Sequence, residues 1–189
     1  MTAGTGGIGL EAALGLATAG CAVTVVGRNA ERGAAAVEQI AAVATAGNPV
    51  FVQADLVSLG ETRELAARLA AAGPLTVLVH NVGAMYAQRQ RTVDGIEATF
   101  AVNHLSPYLL TELLLESLRA TGRSRIVNVS SSAVRAANAP STPLNRRGVT
   151  TASTGTAAPN SPTRSTWRSG SGAPESPSSR PTPAAPRRR

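Results

Sequence analysis

The 189-residue sequence contains no lysine, so all 18 of its basic side chains are arginine. Its single cysteine, Cys21, excludes a disulfide within the chain and gives no sign of an oxidising compartment. No apolar run approaches the roughly 18 residues that a membrane-spanning helix needs. Met1 leads into a glycine-rich turn rather than a secretory leader. The sequence therefore predicts a cytoplasmic protein with no membrane partner.

The formal charge of +7 comes from the C-terminal part of the chain. Residues 1–137 hold ten arginines and ten acidic residues, whereas residues 138–189 hold eight arginines and only Glu175. The balanced charge of the first segment argues against a nucleic-acid-binding surface, and we expect no nucleic acid partner. One alternative stays open, a binding module whose arginine-rich tail engages nucleic acid or an acidic partner. Strong dependence of that binding on salt concentration would indicate it.

Patterns typical of strands and helices alternate along residues 1–137. Apolar, β-branched runs predict strands at 22–26, 50–53, 75–80 and 125–129. Composition and stop signals predict helices at 10–19, 30–46, 58–72 and 95–119. Ser58 is expected to cap the third helix, with Glu61 as its capping-box partner. Strands separated by helices imply an α/β fold with a Rossmann-like, doubly wound parallel sheet.

Residues 138–189 break this alternation. They hold nine of the twelve prolines, and their only large apolar side chains are Leu144, Val149 and Trp167. Such a segment buries too little surface to offset the entropy lost on ordering, so it is predicted to be a disordered tail.

The glycine-rich turn Thr2–Gly9 is the sharpest local pattern. Glycines there let the backbone approach a pyrophosphate, whose charge the free amides of a helix N-terminus can meet. The spacing resembles the T-G-x-x-x-G-x-G motif of the short-chain dehydrogenase/reductase family, with Ala3 in place of the first glycine. The resemblance implies that the cofactor is bound by Thr2, Gly4, Gly7, Ile8 and Gly9.

Arg28 follows the first predicted strand, where the adenosine ribose of the cofactor lies in this family. An acidic residue there would favour NAD, whereas a guanidinium suits a 2′-phosphate. NADP is therefore the expected cofactor and NAD the less favoured one, although an arginine at this point could simply be solvated.

Further residues match positions where the family has cofactor-binding or proton-relay residues, and they follow one another along the chain in the same order as in the family. The resemblance assigns adenine contacts to Asp55 and Leu56, the nicotinamide side to Asn81 and Gly83, and a place in a proton relay to Asn103. Singly, each has an ordinary explanation as a turn or helix-face residue. Together they extend the resemblance from residue 2 to about residue 135, and residues 103–115 and 125–133 resemble the retinol-dehydrogenase-like branch.

Ser131 stands where the family has the serine that hydrogen-bonds the substrate carbonyl. In the family a tyrosine then transfers the proton and a lysine lowers the tyrosine pKa, because a phenol with a pKa of about 10 is a poor base at neutral pH. Here the only tyrosines, Tyr86 and Tyr108, precede Ser131, and lysine is absent. Arginine is not an equivalent substitute.

These residues imply an NADP-dependent oxidoreductase by family, acting on a small-molecule alcohol or carbonyl compound and inactive in this chain. The alternative is a non-catalytic NADP-binding protein. No metal site is predicted. The family forms homo-oligomers, and we expect the interface to be incomplete here.

The genetic code suggests why the catalytic pair is missing. In the frame that starts at the third base of each codon, Gly155 and Thr156 allow a tyrosine codon, and the junction of Pro159 and Asn160 allows lysine. The pair has the Tyr-x-x-x-Lys spacing and lies where the family places it relative to Ser131. We therefore interpret the tail as the product of a shifted reading frame.

The N-terminal end also departs from the family. A glycine-rich turn of this kind follows a buried strand, yet only Met1 precedes it. In the family's strand order 3-2-1-4-5 that strand is central. Residues 1–137 are therefore expected to form an incomplete NAD(P)-binding domain, truncated by the loss of its first strand and of its C-terminal elements.

Overall fold

The computed structural model describes residues 1–131 of the chain. The expected tail at 138–189, its shifted frame and the domain boundary at residue 137 all lie outside the described residues. Helices and strands alternate, in chain order: α1 (Gly7–Thr18), β1 (Thr24–Gly27), α2 (Ala30–Val43), β2 (Val50–Gln53), α3 (Leu59–Ala71), β3 (Val77–His80), α4 (Ala98–Phe100), a π-helical turn (Ala101–Leu105), α5 (Ser106–Arg119) and β4 (Arg125–Asn128). No helix within this part of the chain is both long and apolar enough to cross a membrane.

The strands form two parallel pairs. Strand β1 pairs with β2, with Thr24 opposite Val50, and β3 pairs with β4, with Val77 opposite Arg125. Parallel pairing of strands that are separated by helices confirms the predicted fold class.

Met1 and Thr2 lie between the two strand pairs. The amide of Val26 in β1 donates to the Met1 carbonyl at 2.9 Å, and the amide of Thr2 donates to the Val79 carbonyl of β3 at 3.0 Å. Thr2 forms a single parallel bridge with Val26. The spatial order is thus β2, β1, residues 1–2, β3, β4, as predicted, and among the described residues the central position holds this bridge in place of a full strand.

Helices cover both faces of the sheet. One core contains the fully buried Leu65 of α3 and Leu114 of α5, and the other contains Ala13 of α1 and Ile40 of α2. Because apolar side chains of the strands pack into both cores, the strands carry nearly continuous apolar runs rather than alternating ones.

The predicted continuous helix at 95–119 is wrong in its first part. The helix begins at Ala98, where the Glu97 carboxylate accepts from the amides of Thr99 and Phe100 at 3.0 and 2.8 Å. A π-helical turn follows, and Pro107 then lies in the first turn of α5. Since proline has no amide hydrogen, a helix start tolerates it better than a helix interior does.

Candidate functional site

Thr2 connects the glycine-rich turn to the end of β3. Its side chain is 1% exposed. The hydroxyl accepts from the amides of Asn81 and Val82, both at 3.1 Å, and donates to the Val79 carbonyl at 3.4 Å. The buried Thr2 side chain therefore connects the start of the chain to the end of β3 and the segment that follows it.

Close packing behind the turn requires glycine at residue 9. The Asn81 side-chain amide donates to the Ala3 carbonyl at 3.1 Å, and Gly9 packs against this bond. A Cβ atom on Gly9 would collide with the Ala3 carbonyl oxygen and lie 2.5 Å from Asn81 Nδ2. Gly4 is similarly confined, since a Cβ there would lie 2.7 Å from Val25 Cγ1.

The start of α1 is open towards solvent. The helix begins at Gly7, inside the glycine-rich turn, rather than at residue 10 as predicted. It has no side-chain cap and no acidic residue in its first turn. Ile8 is 78% exposed, and a Cβ on Gly7 would meet nothing within 4 Å. Uncapped amides with open space in front of them suit an anionic ligand.

A cleft of about 370 Å³ opens at the carboxyl ends of β1, β2 and β3. The described residues that line it are Ala3, Thr5, Gly6, Gly7, Val26, Gly27, Arg28, Asn29, Arg32, Ala54, Asp55, Leu56, Val57, Val82, Gly83, Ala84, Tyr86 and Val102. Five predicted site residues are among them: Gly7, Arg28, Asp55, Leu56 and Gly83.

Arg28 and Asp55 face each other at the mouth of the cleft. Arg28 Nη1 lies 3.9 Å from Asp55 Oδ2, and the two side chains are 69% and 39% exposed. An exposed pair at this distance stabilises little, so both groups stay available to a ligand. The Gln53 side-chain amide donates to the Arg28 carbonyl at 2.9 Å and fixes the backbone after β1.

Asp55 and Leu56 are held by the start of α3 and by α5. The Ser58 hydroxyl caps α3 as predicted, accepting from the Glu61 amide at 3.2 Å. The Glu61 carboxylate, however, accepts from the Asp55 amide at 2.7 Å, so it fixes the cleft-lining segment. Leu56 is buried, and its carbonyl accepts from the Ser106 hydroxyl at 2.6 Å.

Asn103 fixes the segment after β3. From the π-helical turn its side-chain oxygen accepts from the Ala84 amide at 2.8 Å, and its side-chain nitrogen donates to the Ala84 carbonyl at 2.9 Å. Gly83 and Ala84 line the cleft, whereas Asn103 stands behind them. π-helical turns are frequent at functional sites.

The remaining predicted residues lie away from the cleft surface. Thr2, Gly4, Gly9 and Asn81 pack behind the turn, and Ile8 is outside the cleft lining. Ser131 follows β4 by three residues, is exposed and is the last described residue. The cleft lining does not include it.

Arg32, Tyr86 and His80 are side chains of this region to which the sequence analysis gave no role in the site. Arg32 and Tyr86 line the cleft. His80 is buried at the end of β3, and its Nε2 lies 2.8 Å from Thr111 Oγ1 of α5. Burial, followed by the positive charge of the N-terminal amine, lowers the pKa of His80 to about 4. The position of Arg32 four residues after Arg28 was the one available signal, because a helix capped at Asn29 brings both to the same edge.

Comparison with known proteins identifies the family. The short chain dehydrogenase family matches residues 1–143. Polyprenol dehydrogenase of Danio rerio is 42% identical over 136 residues, which cover 69% of this chain and 42% of that protein. Retinol dehydrogenase 11 of Mus musculus is 39% identical over 135 residues, with 69% and 42% covered. The chain belongs to the short-chain dehydrogenase family, and it spans about two fifths of the length of these relatives.

Solved structures agree with this assignment. A metagenomic short-chain oxidoreductase in complex with NADP has a TM-score of 0.62 and 29% identity, covering 71% of this chain and 62% of that one. A 3-oxoacyl (acyl-carrier-protein) reductase from Agrobacterium tumefaciens C58 with NADP bound has a TM-score of 0.61 and 28% identity, covering 70% and 52%. The resemblance to this family and to its retinol dehydrogenases is thereby confirmed.

Proposed function

We propose that this chain contains the cofactor-binding part of an NADP-dependent oxidoreductase that interconverts a carbonyl compound and an alcohol. The cleft at the carboxyl ends of β1, β2 and β3 carries the proposal, since it joins the uncapped start of α1 to the guanidinium of Arg28. Ligands of open α/β sheets bind at this edge. The NADP bound to two solved relatives supports this choice of cofactor.

The residues of the cleft fit the chemistry of NADP. The amides at the start of α1 would take the diphosphate, and Arg28 the 2′-phosphate. Asp55 and Leu56 would flank the adenine, with Gly83 towards the nicotinamide. When bound, the nicotinamide would accept or donate the hydride. Four residues packed behind the glycine-rich turn would fix its shape without lining the cleft: Thr2, Gly4, Gly9 and Asn81. Ile8 would cover the turn from the solvent side.

Ser131 and Asn103 are proposed for the substrate side. Ser131 would donate a hydrogen bond to the substrate carbonyl. Asn103 would serve in the proton relay, held in place by its two bonds to Ala84. Because the chain has no lysine and both tyrosines precede Ser131, no residue pair is available to produce a phenolate base. The 189-residue chain is therefore proposed to bind NADP without turnover.

Calorimetric titration of the full chain with NADP and with NAD tests the cofactor. NADP should bind more tightly, and Arg28→Gln should weaken NADP binding about tenfold, as expected for the loss of one charge-assisted hydrogen bond. Equal affinities for NADP and NAD in the unmodified chain would contradict the proposal.

The loss of turnover needs a separate assay. NADPH oxidation with short-chain and retinoid aldehydes, followed by absorbance, should stay at the rate without protein. Steady turnover would contradict the proposed inactivity but would leave the cofactor assignment standing. A non-catalytic NADP-binding protein is the second candidate, favoured by the retention of the cofactor cleft without the Tyr-x-x-x-Lys pair.

A further inference from the structure

Tyr86 is the one aromatic side chain among the described residues that line the cleft. It is half-buried and packs against the apolar core that contains Leu56, Val102 and Leu110. An aromatic ring that is held on one side by the core can present the rest of its surface to a ligand. The cleft therefore has one flat apolar surface beside its charged groups.

The Tyr86 hydroxyl is not enclosed by the protein. Within residues 1–131 it forms no hydrogen bond, and the buried side-chain nitrogen atoms that lack a partner belong to His80 and Arg89 instead. A buried tyrosine hydroxyl usually has a hydrogen-bond partner. The Tyr86 side chain therefore ends at the surface of the cleft and not in the core.

The segment that carries Tyr86 is fixed on both sides. Asn103 makes two hydrogen bonds to the backbone of Ala84, at 2.8 and 2.9 Å. The Ala98 amide donates to the Gln90 carbonyl at 3.0 Å. A binding surface that is fixed before its ligand arrives loses little conformational entropy on binding. Tyr86 is thus held in a segment that is ordered without a ligand.

The order of the strands places Tyr86 at the β3 side of the cleft. Arg28 and Asp55 follow β1 and β2, whereas Tyr86 follows β3. Strand β4, which leads to Ser131, pairs with β3 on the side away from β1. A dinucleotide has one nucleoside on each side of its diphosphate. With the diphosphate at the start of α1 and the adenosine beside Arg28, the nicotinamide falls on the β3 side.

We propose that the ring of Tyr86 contacts the nicotinamide ring of the cofactor and raises the affinity of the cleft for the nicotinamide half of the dinucleotide. The inference rests on the proposed function and adds a binding residue to it. Aromatic and heteroaromatic rings attract each other through their flat faces, without a hydrogen bond. The ring of Tyr86 is therefore sufficient for this contact, and its hydroxyl is not required.

Calorimetric titration of the full chain and three variants tests this contact, with NADP and adenosine 2′,5′-bisphosphate as the probes. The second probe carries the adenine and the 2′-phosphate but no nicotinamide. Tyr86→Leu removes the aromatic ring and should weaken NADP binding about tenfold, while adenosine 2′,5′-bisphosphate stays within about twofold. Tyr86→Phe keeps the ring and should bind NADP within about twofold of the unmodified chain. Tyr108→Leu is the matched control, because Tyr108 is 49% exposed on α5 and outside the cleft lining, and it should change neither affinity.

Failure of this inference is distinguishable from failure of the proposed function. If the unmodified chain binds both probes and Tyr86→Leu binds NADP equally tightly, the role of Tyr86 is refuted and the cofactor assignment stands. If Tyr86→Leu weakens both probes equally, the side chain supports the adenine half or the fold, and the nicotinamide contact is again refuted. A tenfold loss of NADP affinity in Tyr86→Phe would assign the effect to the hydroxyl and overturn the ring contact. An unmodified chain that binds neither probe overturns this inference and the proposed function together.

Discussion

Among the glycines of residues 1–131, Gly9 is the one at which an added Cβ would come closest to a neighbouring atom. Gly9→Ala should lower the free energy of unfolding by about 1–3 kcal/mol, because the added methyl group collides with the Ala3 carbonyl and crowds Asn81 Nδ2. Gly15→Ala in the same helix is the control, since a Cβ there meets nothing within 4 Å. It should raise stability by about 0.5–1 kcal/mol. Urea denaturation measures the free energy of unfolding of both variants. Equal changes in the two variants would contradict the close packing inferred at Gly9.

Ala3 is, among the described residues, the one non-glycine residue in the left-handed backbone region, with φ of 50°. It stands where the family motif has glycine. Ala3→Gly should therefore stabilise the chain by about 0.5–1 kcal/mol, the relief of left-handed strain less the added freedom of the unfolded chain. Ala12→Gly, in the exposed part of α1, should instead destabilise it by about 1 kcal/mol. Loss of stability in Ala3→Gly, measured by urea denaturation, would show that the alanine is not strained.

The cleft brings together some of the residues proposed from the sequence for the site, and others lie behind it. Arg28 and Asp55 line the cleft because they lie one and two residues after strand ends, which is visible in the sequence. Thr2 and Asn81 proved to be joined to each other by a partly buried hydrogen bond, which the Asn81 amide donates to the Thr2 hydroxyl. That contact spans 79 residues, and no local pattern reports it.

At the scale of elements, His80 joins the end of β3 to α5 through Thr111. Because burial lowers the pKa of His80 from 6.5 to about 4, the unfolded chain binds the proton at a higher pH than the folded chain. Stability should therefore fall as the pH drops from about 6.5 towards 4 and level off below that, by about 3 kcal/mol in all.

His80→Asn tests this titration. The variant removes the titrating group and keeps a polar side chain near Thr111, so its stability should depend less on pH over this range. Urea denaturation at pH 7.5 and pH 5 gives, for the unmodified chain and for the variant, the change in the free energy of unfolding between the two pH values. Identical differences would mean that His80 does not titrate as its burial implies.

The sequence predicted which segments are helices and which are strands. It predicted the first and last residues of these elements less well. Strand β2 at Val50–Gln53 and the Ser58 cap agree with the prediction, because both depend on residues next to one another in the chain. The start of α1 and the π-helical turn before Pro107 do not agree with the prediction. Both lie beside contacts with the segment after β3, from Asn81 to Ala3 and from Ala84 to Asn103, and these contacts join residues far apart in the chain.

For the whole molecule, the missing catalytic pair has a genetic test. If residues 138–189 come from a shifted frame, sequencing the DNA that encodes them will show an inserted or deleted base between codons 135 and 155. Expression of the corrected frame should then add Tyr-x-x-x-Lys after Ser131 and give NADPH-dependent aldehyde reduction. An intact frame through these codons would refute the interpretation.

Hydrogen–deuterium exchange of the full chain, with and without NADP, tests the central claim most directly. If NADP binds at the carboxyl ends of the strands, exchange should slow in the turn at Ala3–Gly9 and in the segment at Gly27–Arg32. Strand β4, outside the cleft lining, should change little and serves as the internal reference. Saturating NADP with no protection in these two segments, or protection confined to other parts of the chain, would contradict the assignment of this cleft as the cofactor site.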